Sequence, residues 1–419
     1  MHSSADLAAI APVREPEASS FGRPFWFSYA SNFTQMIAVS QLYVYNDFVK
    51  LLGGSDLQLG LIVGIGMVGS ILMRFAQGVG IDRFGARHIW LWSTFLTAVS
   101  CLGHLLVRDV DSPTIYLLRI MYQCSLAGIF GASIAFVAGR AAVARMAEVV
   151  GTLGTSGFIG MMCGTALGRF IVGQGGSGGG SVDRAKLDTL FISMTVFTLL
   201  AFGFAWGATN GAVVRIPTRK SPPLWWLIKR YHPGLILLMS VATGIGLNLP
   251  TVFLRPYVEQ LGLEYGLVMF FNTYPPIAFI SRLLLRRVPD RLGIRPMLAI
   301  GIVSMVIGLM TLLLVSRTWH LILPAFFMGL AHACLFPAVV AGGSGVFPGR
   351  YRGSGTTLVL AMFDVGTFVG APLAGAILTL AEQRGWPNYG TLLPVMSLLL
   401  SLCGAIYFGF AKPPARRRS

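Results

Sequence analysis

Residues 74–90 read RFAQGVGIDRFGARHIW, and residues 281–297 read SRLLLRRVPDRLGIRPM. Shifted by 208 positions, the two stretches agree at five places: Arg74 with Arg282, Asp82 with Asp290, Arg83 with Arg291, Gly85 with Gly293, and Arg87 with Arg295. Each stretch leaves one long apolar run and enters another. A loop repeated in this way is the mark of internal duplication in a membrane protein. The chain therefore reads as two parallel repeats.

Composition agrees. Of 419 residues, 54% are hydrophobic and 11% charged, with a mean hydropathy of +0.70. Soluble domains carry about 25% charged residues. These values exclude a soluble enzyme, a disulfide scaffold, a disordered chain and a coiled coil. A helix crossing ~30 Å of hydrocarbon needs about 20 apolar residues. Twelve stretches qualify, at 25–49, 57–79, 88–107, 113–138, 149–173, 188–208, 234–256, 263–285, 296–316, 319–343, 353–379 and 389–411. The expected fold is an all-α polytopic membrane protein, with twelve transmembrane helices in two six-helix pseudo-repeats. Its expected divisions are a disordered cytoplasmic tail (1–23), a first bundle (24–208), a cytoplasmic linker (209–233), a second bundle (234–411) and a basic cytoplasmic tail (412–419). The tail shows no apolar signal-peptide core, so the first span should be an uncleaved start-transfer helix. The Gly/Ser stretch 174–187 lacks the Lys-Ser/Thr of a phosphate loop and reads as a linker.

The net charge of +16 would suggest nucleic acid in a soluble protein. Here most basic residues lie in short loops, where they hold those loops in the cytoplasm. On one side of the membrane 21 Lys and Arg accumulate, on the other 7, and four lie within spans. Both termini and the central linker are therefore expected on the cytoplasmic side, in a bacterial inner membrane. The five cysteines all fall within apolar runs and read as packing residues. No metal or cofactor site is expected.

The duplicated loops resemble the signature loop of the major facilitator superfamily, Gly-x3-Asp-Arg/Lys-x-Gly-x-Arg/Lys-Arg/Lys. The first half matches as Gly78, Asp82, Arg83, Gly85 and Arg87, with His88 in the last basic position. In the second half Arg286 replaces the leading Gly, and Pro296 ends the motif. The resemblance covers residues 24–411. It implies that Arg74, Gly78, Asp82, Arg83, Gly85 and Arg87, with Arg282, Asp290, Arg291, Gly293 and Arg295, form a cytoplasmic latch that pairs in one conformational state. Physically, Gly85 and Gly293 suit a tight turn with positive φ, and the two acids suit a helix N-terminus or a neighbouring arginine. Arg119 and Gln123 in span four are similar to an Arg-x-x-Gln-Gly element, with the Gln one residue late and Cys124 for the Gly. Gly160, Gly164 and Gly168 in span five resemble a glycine-rich antiporter element, without its proline. Their spacing allows a partner helix to approach closely. Gly366, Gly370 and Pro372 lie in span eleven.

An ionisable group at mid-membrane costs about 2.5–3.5 kcal/mol on insertion scales, so it normally has a partner or a function. Arg119 lies on a span that, by the resemblance, lines the central cavity. It could bind an anionic substrate group, bias a proton site, or pair structurally with Asp47. Asp364 is the one acid at mid-membrane and a candidate for proton exchange. His332, of a residue type that titrates near neutrality, could form a relay with it or simply pack. Arg74, Arg169 and Arg282 are placed to snorkel. The 208-residue offset also relates Asp47 to Arg255, suggesting an outer ionic gate. Asn32 and Gln35, Gln41 and Tyr45, Asn248, Asn272 and Tyr274 are further cavity candidates, where Pro250, Pro275 and Pro276 should bend their helices.

The resulting expectation is a secondary transporter working as a monomer in the lipid bilayer, moving a small molecule by alternating access. Proton-coupled export is the first reading, by resemblance of the signature loop to efflux members. Uptake or facilitated diffusion of a sugar, carboxylate or other metabolite is the alternative. A membrane enzyme or receptor is the remote one, since no catalytic constellation or added domain is visible.

Overall fold

The computed structural model describes residues 21–141, 145–173, 182–211, 224–231, 233–285, 293–348 and 351–411, apart from the side chains of residues 78, 79, 82, 147 and 224. Those residues are almost wholly helical. Eleven of their helices are long and apolar enough to cross a membrane. Spans two to six are Asp56–Gln77, Arg83–Leu106, Pro113–Ala138, Glu148–Val172 and Arg184–Thr209. Spans seven to twelve are Ile236–Gln260, Gly266–Leu284, Ile294–Leu312, Thr318–Gly345, Arg352–Gln383 and Asn388–Phe410. The chain is an integral membrane protein.

Span one differs from the expected continuous helix. It runs from Arg23 to Gln41, tightens into a 3₁₀ turn at Leu42–Val44, and resumes as Tyr45–Leu51. It is also the most polar span, and its buried residues include Ser28, Ser31, Asn32, Thr34, Gln35, Ser40 and Gln41. Most of those groups bond within the first half instead of facing lipid, Gln35 being the exception. Ser31 donates to the Ala201 carbonyl at 2.8 Å, and the Asn32 amide donates to the Ser156 hydroxyl at 2.7 Å. A helix packed on both sides by others can carry such residues at little cost.

Local sequence sets the helix ends. Ser55 and Gln58 form a reciprocal capping box at the start of span two. Asp183 accepts the Lys186 amide at 2.9 Å at the start of span six. Gly85 breaks the helical geometry in the first turn of span three with φ +81°, and Gly293 precedes span nine with φ +85°. Both take the left-handed region that favours glycine. Among the described residues, Leu224–Tyr231 forms a short helix in the linker. It buries Leu227 beside Phe347 and Leu358.

Within the first half, span one packs on spans five and six, and spans two and three pack on span four. The second half repeats this pattern, with span seven on eleven and twelve, and spans eight and nine on ten. The halves meet along two lines, span two against span eleven and span five against span eight. The first relies on small residues. A Cβ at Gly60 would collide with the Ala371 carbonyl, and one at Gly375 with the Asp56 carbonyl. The face carrying the loop after span one is termed the distal face, and the face nearer both termini the proximal face.

The glycine row of span five lies on span one, where a Cβ at Gly164 would run into the Ile37 backbone. Gly164→Leu is expected to destabilise the fold by about 1–3 kcal/mol through overpacking. Gly151→Leu, at a site where a Cβ meets nothing within 4 Å, should change the thermal midpoint little. Melting of the two variants in detergent, followed by size-exclusion fluorescence, checks the difference.

Candidate functional site

A cavity of about 250 Å³ lies between the two halves. Spans one, two and four supply one wall, including Tyr45, Asn46, Ser70, Arg74, Arg119 and Gln123. Spans seven and eleven supply the other, including Asn248, Thr251, Asp364 and Thr367. The 3₁₀ turn of span one opens directly onto it through Leu42 and Tyr43.

Arg119 lines this cavity with little protein compensation. It is 5% exposed, and its Nε and Nη1 have no hydrogen-bond partner. The guanidinium sits 4.6 Å from the centre of the Tyr45 ring and 5.4 Å from that of Tyr122. Such cation–π contacts are worth up to about 2 kcal/mol when desolvated. They leave the N–H donors unused. The expected structural partner, Asp47, is bonded elsewhere, so the Arg119–Asp47 pairing is not formed.

Asp364 lies across the cavity. It accepts from Arg74 Nε at 2.7 Å and from the Ser70 hydroxyl at 2.6 Å. This ion pair joins span two of the first half to span eleven of the second. Arg74 was expected to snorkel or to serve a proximal latch; instead it lines the cavity, because its span lies along span eleven and brings an acid within reach. The relay between Asp364 and His332 is also absent. His332 bonds the Tyr274 hydroxyl and rests 5.9 Å from the Phe158 ring of span five.

Other cavity candidates divide by helix face. Tyr45, Gln123 and Asn248 line the cavity, with Asn248 donating to the Gly244 carbonyl at 3.0 Å. Asn32 is committed to span five. Gln41 donates to the Ile37 carbonyl at 3.3 Å and lies beside Gly168 of span five. Gln35 is buried outside the cavity wall, with both amide atoms unpartnered. Asn272 is exposed, and Tyr274 faces His332. Ser70, Asn46, Thr251 and Thr367 were not anticipated, since nothing in a single helix pattern marks which small polar residues face a partner bundle.

A second charged cluster lies toward the distal side. Arg255, 1% exposed, donates from Nη2 to Asp47 at 3.0 Å and to Glu259 at 2.7 Å. Nearby, Arg169 lies 5.7 Å from the Tyr265 ring, joining spans five and eight instead of snorkelling. The Tyr43 and Phe271 rings lie 4.4 Å apart, tilted by 30°, and join spans one and eight.

The loop residues behave differently. Arg87 donates to the Thr209 carbonyl at 3.4 Å and lies over Trp206, while Arg295 donates to the Phe408 carbonyl at 3.1 Å. Each secures the last helix of its own half, complementing that helix's C-terminal dipole. Arg83 lies over the adjacent Phe84 ring. Arg282 reaches the other half, 5.7 Å from the Phe158 ring. Asp290 and Arg291 fall outside the described residues, as do the side chains of Gly78 and Asp82.

The sequence matches the family model of the Major Facilitator Superfamily over residues 25–309 and 235–419. Two proteins from Agrobacterium vitis, each named "Putative tartrate transporter", are similar over part of the chain. One is 33% identical over 121 residues, 29% of this chain and 26% of its own length. The other is 32% identical over 163 residues, 38% of this chain and 36% of its own length. The chain thus matches only a quarter to about a third of these relatives. Among solved structures, a mutant of the nucleoside transporter NupG superposes with a TM-score of 0.73 at 13% identity, covering 93% of this chain and all of that one. A bacterial homologue of the human lysosomal transporter Spinster, inward-facing and unoccupied, gives 0.68 at 14% identity, covering 94% and 96%. The Escherichia coli fucose:proton symporter FucP gives 0.64 at 14% identity, covering 94% and 98%. At these identities the structural likeness concerns the fold alone.

The distal cluster predicts unequal effects of its two simplest substitutions. Asp47→Asn leaves Arg255 bonded to Glu259 and should cost about 1–3 kcal/mol. Arg255→Gln leaves two adjacent carboxylates without a cation and should cost more, about 3–5 kcal/mol. Thermal midpoints of the two variants, measured side by side, give the order.

Proposed function

The chain belongs to the Major Facilitator Superfamily, and from that premise we propose that it carries a small organic carboxylate across the membrane by alternating access. The observation that carries this reading is Arg119: a buried guanidinium with unused N–H donors, set in a cavity between the two halves. An uncompensated buried charge costs several kcal/mol. A carboxylate offers the matching charge and planar acceptor geometry for an arginine fork. The amide and hydroxyl groups of Gln123, Asn248 and Thr251 supply bonds for hydroxyl substituents on the same molecule.

The reading departs from drug-type export and favours the alternative of a carboxylate metabolite. A volume of about 250 Å³ falls below the roughly 300–1,000 Å³ of typical ligand pockets. The partial relatives named for tartrate, a hydroxy-carboxylate, point the same way. Two six-helix bundles, residues 24–208 and 234–411, rock about the cavity. With the proximal face in the cytoplasm, as the 21-to-7 distribution of Lys and Arg favours, the Asp47–Arg255–Glu259 cluster closes the outer side and must open for the outward-facing state. Asp364, an acid on the cavity wall, is the site at which a proton joins the cycle. On this reading the loop arginines Arg87 and Arg295 keep each bundle rigid as it moves.

Binding of short carboxylates to the purified protein, followed by calorimetry against the matching neutral amides, tests the assignment. Wild-type protein should prefer the acids. Arg119→Gln should weaken acid binding roughly 10- to 100-fold, the worth of a charged hydrogen bond, while leaving amide binding unchanged. Arg119→Lys should fall between, having charge without the fork. Equal acid binding by wild type and Arg119→Gln would refute the reading.

A further inference from the structure

We propose that Arg74 is a second carboxylate subsite in the same cavity, occupied in reserve by Asp364, so that the cavity takes a dicarboxylate together with one proton. The inference rests on the reading of Arg119 as the first carboxylate anchor.

The geometry of the pair leaves room for a second acid. Arg74 gives only Nε to Asp364, at 2.7 Å. Among the described residues its two terminal nitrogens make no hydrogen bond, and the side chain lines the cavity together with Arg119. A guanidinium carries five N–H donors in a fixed fork. Its terminal edge is the part that binds a carboxylate through two parallel bonds. Asp364 is also held by Ser70 at 2.6 Å, so it stays in place when Arg74 takes another partner.

Charge balance then sets the proton count. Arg74 and Asp364 cancel, and Arg119 leaves the empty cavity with one positive charge. A monocarboxylate on Arg119 neutralises it without any proton. A dicarboxylate bridging Arg119 and Arg74 leaves one negative charge and places two carboxylates on the same guanidinium. A proton on Asp364 removes both penalties, and the protonated acid remains a hydrogen-bonding neighbour. No other group is placed to take that proton. On span two, Arg74 is the charged neighbour of Asp364. Span seven carries its charges, Arg255 and Glu259, in the distal cluster, and its Tyr257 hydroxyl donates to the Leu312 carbonyl. On span ten, His332 is bonded to Tyr274 and Cys334 is buried in the core. Span twelve offers only Cys403, Tyr389 and Tyr407. Across the cavity stand Arg119, Tyr45 and Tyr122.

The pair also bridges the two halves, so a ligand that draws Arg74 toward the cavity weakens the one ion pair that crosses between spans two and eleven among the described residues. Dicarboxylate binding would therefore loosen that line of contact, whereas a monocarboxylate would leave it intact.

The test is calorimetry of succinate and butyrate with the purified full-length protein, at pH 6.5 and 7.5, in two buffers of different ionisation heat. Wild-type protein should bind succinate with uptake of about one proton and lose about tenfold in affinity over that pH unit, while butyrate binds without proton uptake. Asp364→Asn should bind succinate with no proton uptake and no pH slope. Arg74→Gln, which keeps an amide donor for Asp364, should bind succinate no better than butyrate. Equal wild-type affinity for the two acids would overturn the second subsite, and proton uptake persisting in Asp364→Asn would overturn its proton site. Failure of wild type to bind either acid would instead count against Arg119 as the first anchor. If Asp364→Asn does not fold, the wild-type proton count and Arg74→Gln still decide the matter.

Discussion

The bond between Arg74 and Asp364 ties span two to span eleven, and with them the two halves of the molecule, at the edge of the cavity. Its importance comes from the medium. In a hydrocarbon layer a charge without a partner costs several kcal/mol, so the few ionic groups within spans must be matched or serve a purpose. Asp364 finds two donors, Ser70 and Arg74. Arg255 finds two acceptors, Asp47 and Glu259. Arg119 finds aromatic faces and unused donors. Unused donors on a guanidinium that lines the cavity set Arg119 apart from Arg74 and Arg255.

The two crossing ion pairs are placed at different depths. The distal one is almost fully buried and reinforced by neighbouring ring contacts between spans one and eight and between five and eight. The other sits on the cavity wall, where a ligand can reach Arg74. The repeated loops contribute elsewhere: Arg87 and Arg295 bind carbonyls at the last helix of their own halves, stiffening each half as a unit.

The architecture was legible because it depends on long-range features of composition. Twelve apolar runs and a loop repeated at an offset of 208 survive any uncertainty about individual contacts. The same offset related Asp47 to Arg255, and these two residues lie 3.0 Å apart. Side-chain facing was far less legible. Asn32 and Gln41 share span one with Tyr45, yet the first two bond toward span five or their own helix, and only Tyr45 reaches the cavity. Periodicity defines a stripe on a helix without saying which neighbour that stripe will meet. Arg74 was read by its place near the loop, and Asp364 was set beside His332; their true partners required the packing of span two on span eleven. The 3₁₀ turn at Leu42–Val44 carries no proline or glycine that would have marked it in the sequence.

On the proposed function, a guanidinium in a cavity between two moving halves carries a carboxylate across the bilayer. The most direct measurement is accumulation of a radiolabelled four-carbon acid in proteoliposomes containing the purified protein, with and without an imposed pH gradient. The account predicts uptake that depends on the gradient and disappears in Arg119→Gln. Uptake of the acid at the same rate by wild type, Arg119→Gln and protein-free liposomes would contradict it.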